Sequence, residues 1–124
     1  YFTDFLATAC EIAGIEPPNN TDGISYLPTL LGKEQPKHEY LYFEFHEGGK
    51  SQAIRSGNWK AIRNNTFKEE NSVWELYDIS QDISEQNNLA EKNPEKLKEL
   101  IDKAKQAHRV DAFWPLCVSE QMDE

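Results

Sequence analysis

The amino-acid sequence predicts an α+β fold: a four-stranded antiparallel sheet packed by a C-terminal helix, with short helices ahead of it. Three observations carry this reading. Between Tyr40 and Ile79 lie four short runs of strand character, the first with period-two alternation. Turn-forming residues separate the runs, as antiparallel neighbours require. Helical periodicity sits at the two ends of the chain, which gives one sheet for helices to cover rather than alternating strand and helix.

Asp4–Gly14 reads as a helix. Thr3 or Asp4 supplies a cap, Phe5, Leu6, Ala9, Ile12 and Ala13 form a broad apolar face, and Gly14 takes the left-handed position after the last turn. Pro17 and Pro18 prevent continuation, and Asn19–Gly23 is a turn cluster. Ser25 caps a second, short helix over Tyr26–Leu31, where Pro28 is tolerated because first-turn N–H groups lack helical partners. Gly32 ends it, and Lys33–Lys37 is a solvated link.

Tyr40–Arg63 organises the rest. Leu41, Phe43 and Phe45 fall on one face of a half-buried strand, with Tyr42, Glu44 and His46 on the other. Gln52–Arg55 and Trp59–Arg63 follow, with Gly57 at a tight reversal, and Val73–Ile79 supplies the fourth strand. Asn64–Ser72 is a polar hairpin loop and Asp78–Asn88 a turn segment. Asn93-Pro94 opens the last helix with a cap and a proline at the first helical position. Leu97, Leu100, Ile101, Ala104 and His108 make its stripe toward the sheet, and Glu99 to Lys103 is a favourable outer pair. Phe113, Trp114 and Leu116 dock a terminal segment, and the acidic end Glu120–Glu124 is expected to fray.

The chain has 124 residues, enough for one core of moderate size. Its net charge of −9 argues against a nucleic-acid partner, because affinity for phosphate backbones comes from clustered Lys and Arg. The charge reads as solubility instead. No stretch is long and apolar enough to predict a membrane span. The chain starts at Tyr1 with no initiator Met, basic n-region or apolar h-region, so a processed product or a piece of a longer protein is expected. Cys10 and Cys117 are far apart in sequence and form no metal-spaced pair; spacing alone leaves a disulfide between them open.

Most catalytic motifs fail on inspection. Gly49-Lys50-Ser51 matches the end of a phosphate-binding loop, but Glu44 stands where that motif needs glycine and a strand-like run follows. His46-Glu47 lacks the second histidine of a zinc protease, since Lys50 occupies that place. Ser25 has Leu27 where a nucleophile elbow needs glycine, and Cys10 reads as a small core residue. Trp59, Trp74, Tyr77 and Phe43 have the makings of a sugar-stacking platform, but their places in strand-like runs favour core packing. Asn19-Asn20-Thr21 and Asn64-Asn65-Thr66 are glycosylation acceptors only on a eukaryotic secretory route. What stays is the glycine-bearing loop after the first strand. There His46, Glu47, Lys50 and Gln52 offer donors and acceptors suited to a polyhydroxylated or anionic ligand.

Four segments, in order, resemble the C-terminal end of a type I sulfatase, the formylglycine-dependent arylsulfatase family of the alkaline-phosphatase-like superfamily. Asp4–Ile15 resembles the family's late catalytic-domain helix ending in Ala-Gly-Ile, and Asp22–Leu31 its Asp-Gly-x-Ser-x-x-Pro-x-Leu segment. Gln52–Arg63, QAIRSGNWKAIR, resembles its Ala-(Ile/Val)-Arg-x-Gly-x-Trp-Lys hairpin. Glu75–Ala90 resembles its Glu-Leu-Tyr-Asp-Leu to Asn-Leu-Ala stretch, departing at Ile83, where the family usually has proline. The resemblance spans Asp4 to about Arg109.

The resemblance implies a division into residues 1–36, the tail of an N-terminal catalytic domain, and 37–124, a C-terminal subdomain. In such enzymes the catalytic domain carries a Cys-x-Pro-x-Arg or Ser-x-Pro-x-Arg motif, whose Cys or Ser becomes formylglycine, and acidic side chains that hold calcium. Neither motif is in this chain: Cys10 is followed by Glu11-Ile12-Ala13-Gly14. The implied partners are that catalytic domain and a sulfated carbohydrate, with His46, Glu47, Lys50 and Gln52 on the rim of the substrate pocket. Export to a periplasmic or extracellular space is implied likewise, and the piece alone is expected to turn nothing over. A free-standing carbohydrate-binding or interaction module is the competing expectation, and a purely structural role the third.

Overall fold

The structure is a computed structural model that describes residues 1–68 and 72–120. Part of the predicted Asn64–Ser72 loop and the rest of the acidic end lie outside the described residues. The chain forms two compact units, Tyr1–Glu39 and Tyr40–Glu124.

The first unit holds helix α1 (Asp4–Ala13) and the short α2 (Leu27–Leu30). Gly14 closes α1 at φ 68°, its N–H turned back to the Cys10 and Glu11 carbonyls. The predicted apolar face is not the buried one. Phe5, Leu6 and Ile12 are exposed, while Asp4, Ala7, Thr8 and Cys10 are buried. Asp4 is drawn in by partners rather than by hydrophobicity: its Oδ1 accepts the Ile24 N–H at 2.9 Å and meets His38 Nε2 at 2.8 Å. Thr8 Oγ1 donates to the Asp4 carbonyl and accepts the Tyr26 N–H. Thr3 stands at the N-cap position but makes no side-chain cap bond. Gly23 admits this arrangement, since a Cβ there would lie 2.2 Å from the Thr3 carbonyl oxygen. Tyr26, not Ser25, stands at the N-cap position of α2, although Ser25 Oγ accepts the Leu27 N–H at 3.1 Å.

The second unit is a meander of β1 (Leu41–Phe45), β2 (Ser51–Ser56), β3 (Trp59–Asn64) and β4 (Trp74–Asp78), with α3 (Pro94–Ala107) behind it. The strands run β1-β2-β3-β4, each antiparallel to the next. Gly57 makes the β2–β3 reversal at φ 58°. One cross-strand row, Tyr42–Ile54–Ala61–Leu76, forms the floor of the core. Leu100 and Ala104 of α3 pack onto it, with Tyr40, Trp59, Trp74, Ala90 and Leu97 around the edge. Asn88-Leu89-Ala90 seals the β4 side: the Leu89 N–H donates to the Leu76 carbonyl at 2.7 Å, and Asn88 Oδ1 accepts the N–H groups of Leu76 and Ala90.

The alternation of β1 holds, but the covered side is the polar one. Phe43 is 45% and Phe45 59% exposed, whereas Tyr42, Glu44 and His46 are half-buried. Phe43 is therefore no core residue, while Tyr77 is buried and Trp59 and Trp74 pack on the core's rim. Among the described residues, no helix is long and apolar enough to cross a membrane.

Candidate functional site

The register places a second row, Glu44–Gln52–Arg63–Trp74, one step along the same covered face. Four strands thus deliver a chain of polar groups that satisfy one another. The Arg63 guanidinium lies 5.2 Å from the Trp74 ring centre, and its Nε donates to Gln52 Oε1 at 2.8 Å. Gln52 Nε2 donates to the Tyr42 hydroxyl at 2.6 Å, and that hydroxyl donates to Glu44.

Glu44 is the hub. Its Oε1 also meets His108 Nδ1 at 2.6 Å, and its Oε2 meets His46 Nε2 at 3.1 Å. His108 follows the last turn of α3 and turns Nε2 to Glu120 Oε1 at 2.9 Å. Glu120 Oε2 in turn accepts the Leu116 N–H at 2.7 Å, which pins the terminal segment. Burial pushes the Glu44 carboxyl up, but the hydrogen bonds from Tyr42 and His108 and the nearby imidazoles outweigh it, and its pKa lies below the usual value. Burial pushes His108 down, yet the bonds and charges of Glu44 and Glu120 prevail and raise it. Burial and then the bond to Glu44 raise the Tyr42 phenol, which stays a neutral donor.

The four residues singled out in the sequence are divided by this frame. His46 stands just past β1, with Nε2 toward Glu44 and its ring 5.9 Å from that of Trp114. Its buried Nδ1 has no hydrogen-bond partner among the described residues. Glu47 is exposed on the loop that follows. These two border a concavity of about 550 Å³ whose other walls are Glu44, Phe45, Asp111 and Trp114. Lys50, held at φ 59°, sends its ammonium to the Pro115 carbonyl and over the Phe67 ring. Gln52 is only 3% exposed and committed to Tyr42 and Arg63. Lys50 and Gln52 therefore brace the loop and the sheet from within, while His46 and Glu47 face the concavity.

Sequence reasoning missed Trp114 and Asp111 as neighbours of His46, because they arrive from a segment some 65 positions later, and no local pattern reports such a return. His108 and Glu120 were missed likewise, although a histidine ending an apolar helical stripe was the available signal. Asp111 Oδ1 accepts the N–H groups of Phe113 and Trp114 at 2.8 and 3.2 Å, which fixes the turn presenting Trp114. Among the described residues, no group of three His, Cys, Asp or Glu side chains is placed to hold a metal ion, and Cys10 is buried in α1. The donors among the described residues therefore do not assemble a calcium site, and no chemical step is assigned to one there.

Comparison with known proteins gives a consistent result. Residues 2–111 match the family described as N-sulphoglucosamine sulphohydrolase, C-terminal. A Δ4,5-hexuronate-2-O-sulfatase of Bacteroides thetaiotaomicron is 36% identical over 105 residues, covering 80% of this chain and 21% of the relative. An ulvan-active sulfatase of Formosa agariphila is 33% identical over 126 residues, covering 77% of this chain and 25% of the relative. The solved structure of a 2-O glycosaminoglycan sulfatase superposes with a TM-score of 0.66 at 33% identity, over 87% of this chain and 26% of that one. Another, solved with its substrate D-glucosamine-2-N,6-O-disulfate, gives 0.69 at 27% identity, over 84% and 23%. The chain spans about a fifth to a quarter of the length of these relatives. In sequence and in fold, the chain belongs to the C-terminal family of the N-sulphoglucosamine sulphohydrolases, within the alkaline-phosphatase-like sulfatases.

Proposed function

We propose that the chain is the C-terminal subdomain of a sulfatase that hydrolyses sulfate esters of carbohydrates, and that the His46–Glu47 loop forms part of its substrate rim. The observation that carries this reading is the family match over residues 2–111, joined to a loop whose imidazole is held by Glu44 on one side and left unpaired on the other. The catalytic domain supplies the formylglycine nucleophile and calcium. This chain contributes binding and shape: Glu44 fixes the orientation of His46, and Lys50 fixes the loop against the terminal segment. Binding energy gathered at such a rim is spent on positioning the reacting ester. The isolated chain is inactive on this reading, and the parent enzyme is exported to a periplasmic or extracellular space. Exposed Trp114 favours a second reading, a carbohydrate-binding module without catalysis.

The test is kinetic, in the longer protein that carries this chain. His46→Ala lowers kcat/KM on sulfated oligosaccharides by about tenfold, or about 1.4 kcal/mol of transition-state stabilisation, while the fold is kept. An unchanged kcat/KM across several sulfated sugars overturns the rim assignment.

A further inference from the structure

The concavity beside His46 has a chemistry that the rim reading does not account for. A rim built to hold sulfate groups would present Lys or Arg. Here, among the described residues, no lysine or arginine lines the walls, and three carboxylates do: Glu44, Glu47 and Asp111. Lys50, on the same loop as His46 and Glu47, is committed to the Pro115 carbonyl and the Phe67 ring. The fourth polar wall is His46, with one ring nitrogen on Glu44. Trp114 is 64% exposed, yet its backbone is tied by Asp111 and its ring stands against His46, so an aromatic face is displayed at small entropic cost.

We propose that this concavity is a subsite for an uncharged, hydroxyl-bearing sugar ring. The ring lays its C–H face on Trp114 and donates hydroxyl protons to Glu47 and Asp111, while the same carboxylates repel a ring bearing sulfate or carboxylate. The proposal rests on the reading above in taking a glycan as ligand, and it narrows that glycan. Specificity of this kind is a difference of affinities produced by a repulsive element, and an anion here meets three carboxylates with no lysine or arginine on the described walls to answer it.

The experiment titrates the isotope-labelled 124-residue chain with fully N-acetylated chitotetraose, which is uncharged, and with its O-sulfated form. It follows the indole N–H resonance of Trp114, assigned with Trp114→Phe. Chitotetraose gives a saturable shift, and the sulfated form binds at least about fivefold more weakly, the size expected for one like-charge contact near a surface. In the Glu47→Gln, Asp111→Asn double variant the ratio falls toward one; unchanged Trp59 and Trp74 resonances show that the variant is folded. No saturable Trp114 shift with chitotetraose, equal or tighter binding of the sulfated form, or an unchanged ratio in the folded double variant overturns the proposal. Hydrolysis is not read in this titration, so failure of the sulfatase reading and failure of the subsite register separately.

Discussion

The two faces of the sheet are built on opposite terms. The covered face carries Ile54, Ala61 and Leu76 under α3 and then, one row along, Glu44, Gln52 and Arg63. The other face carries Phe43 and Phe45 of β1, about half exposed to solvent. Hydrophobicity alone would place the two phenylalanines inside and the glutamate outside. The arrangement runs the other way because the polar side chains of the covered row bond one another: Arg63 with Gln52, Gln52 with Tyr42, and Tyr42 and His108 with Glu44. Burial costs little when the hydrogen bonds lost to water are remade inside. The difference teaches that which side of a strand faces inward is settled by available partners, some on the neighbouring strands and one, His108, 64 positions away from Glu44.

The largest effect that sharpens this comparison comes from the apolar row. Leu76 is fully buried against Leu100 and Ala104, so Leu76→Ala is expected to destabilise the chain by about 2–5 kcal/mol. Phe45→Ala removes a larger side chain from the opposite face and is expected to cost no more than about 0.5 kcal/mol. Urea unfolding of the two variants measures both. Equal losses would show that the exposed face is also buried in solution, and the contrast would collapse.

A middle-sized effect comes from the polar row. Glu44→Ala leaves His108 Nδ1 and the Tyr42 hydroxyl without their shared acceptor and cuts His46 loose. The expected loss is about 1–3 kcal/mol, the cost of stranding buried donors. Glu44→Gln keeps one acceptor and should recover part of it. If Glu44→Ala proves neutral, water has taken the carboxylate's place and the hub is not structural.

Much of this fold was legible because its signals are local. Period-two runs, Gly57, Gly14 and Asn93-Pro94 each act over a few residues, and the strands and helices lie within a residue or two of where these signals put them. The faces were less legible. On α1, the apolar count favoured Phe5 and Ile12, but Asp4 and Thr8 are buried because Ile24, Tyr26 and His38 come back to meet them. At the site, the loop with His46 and Glu47 could be found from composition, whereas Trp114, Asp111 and Glu120 depend on how the terminal segment returns across β1. Gln52 shows the same limit from the other direction. Its amide suits a ligand, but its position opposite Glu44 in the register turns it inward, toward Arg63.

The smallest effect is one of pH, and it breaks the covered face into its two halves. His108 is raised above its ordinary value of 6.5 by Glu44 and Glu120, so the stability it adds is complete below that value and is lost as pH climbs through the folded pKa. Glu44 is lowered below its ordinary 4.5, so its contribution is present above that value and is lost as pH falls through the folded pKa. Between the two, Glu44, His108 and Glu120 form a charged bridge from β1 through the end of α3 to the terminal segment, with His46 and Tyr42 as the other titratable groups on Glu44. The unfolding midpoint of the chain relative to His108→Gln should therefore be highest at mildly acid pH and decline on both sides. Leu76→Val, which thins the apolar half alone, should lower the midpoint by the same amount at every pH. A flat difference for His108→Gln would mean that the histidine acts as a neutral hydrogen-bonded ring, and that the polar row holds the terminal segment by geometry rather than by charge.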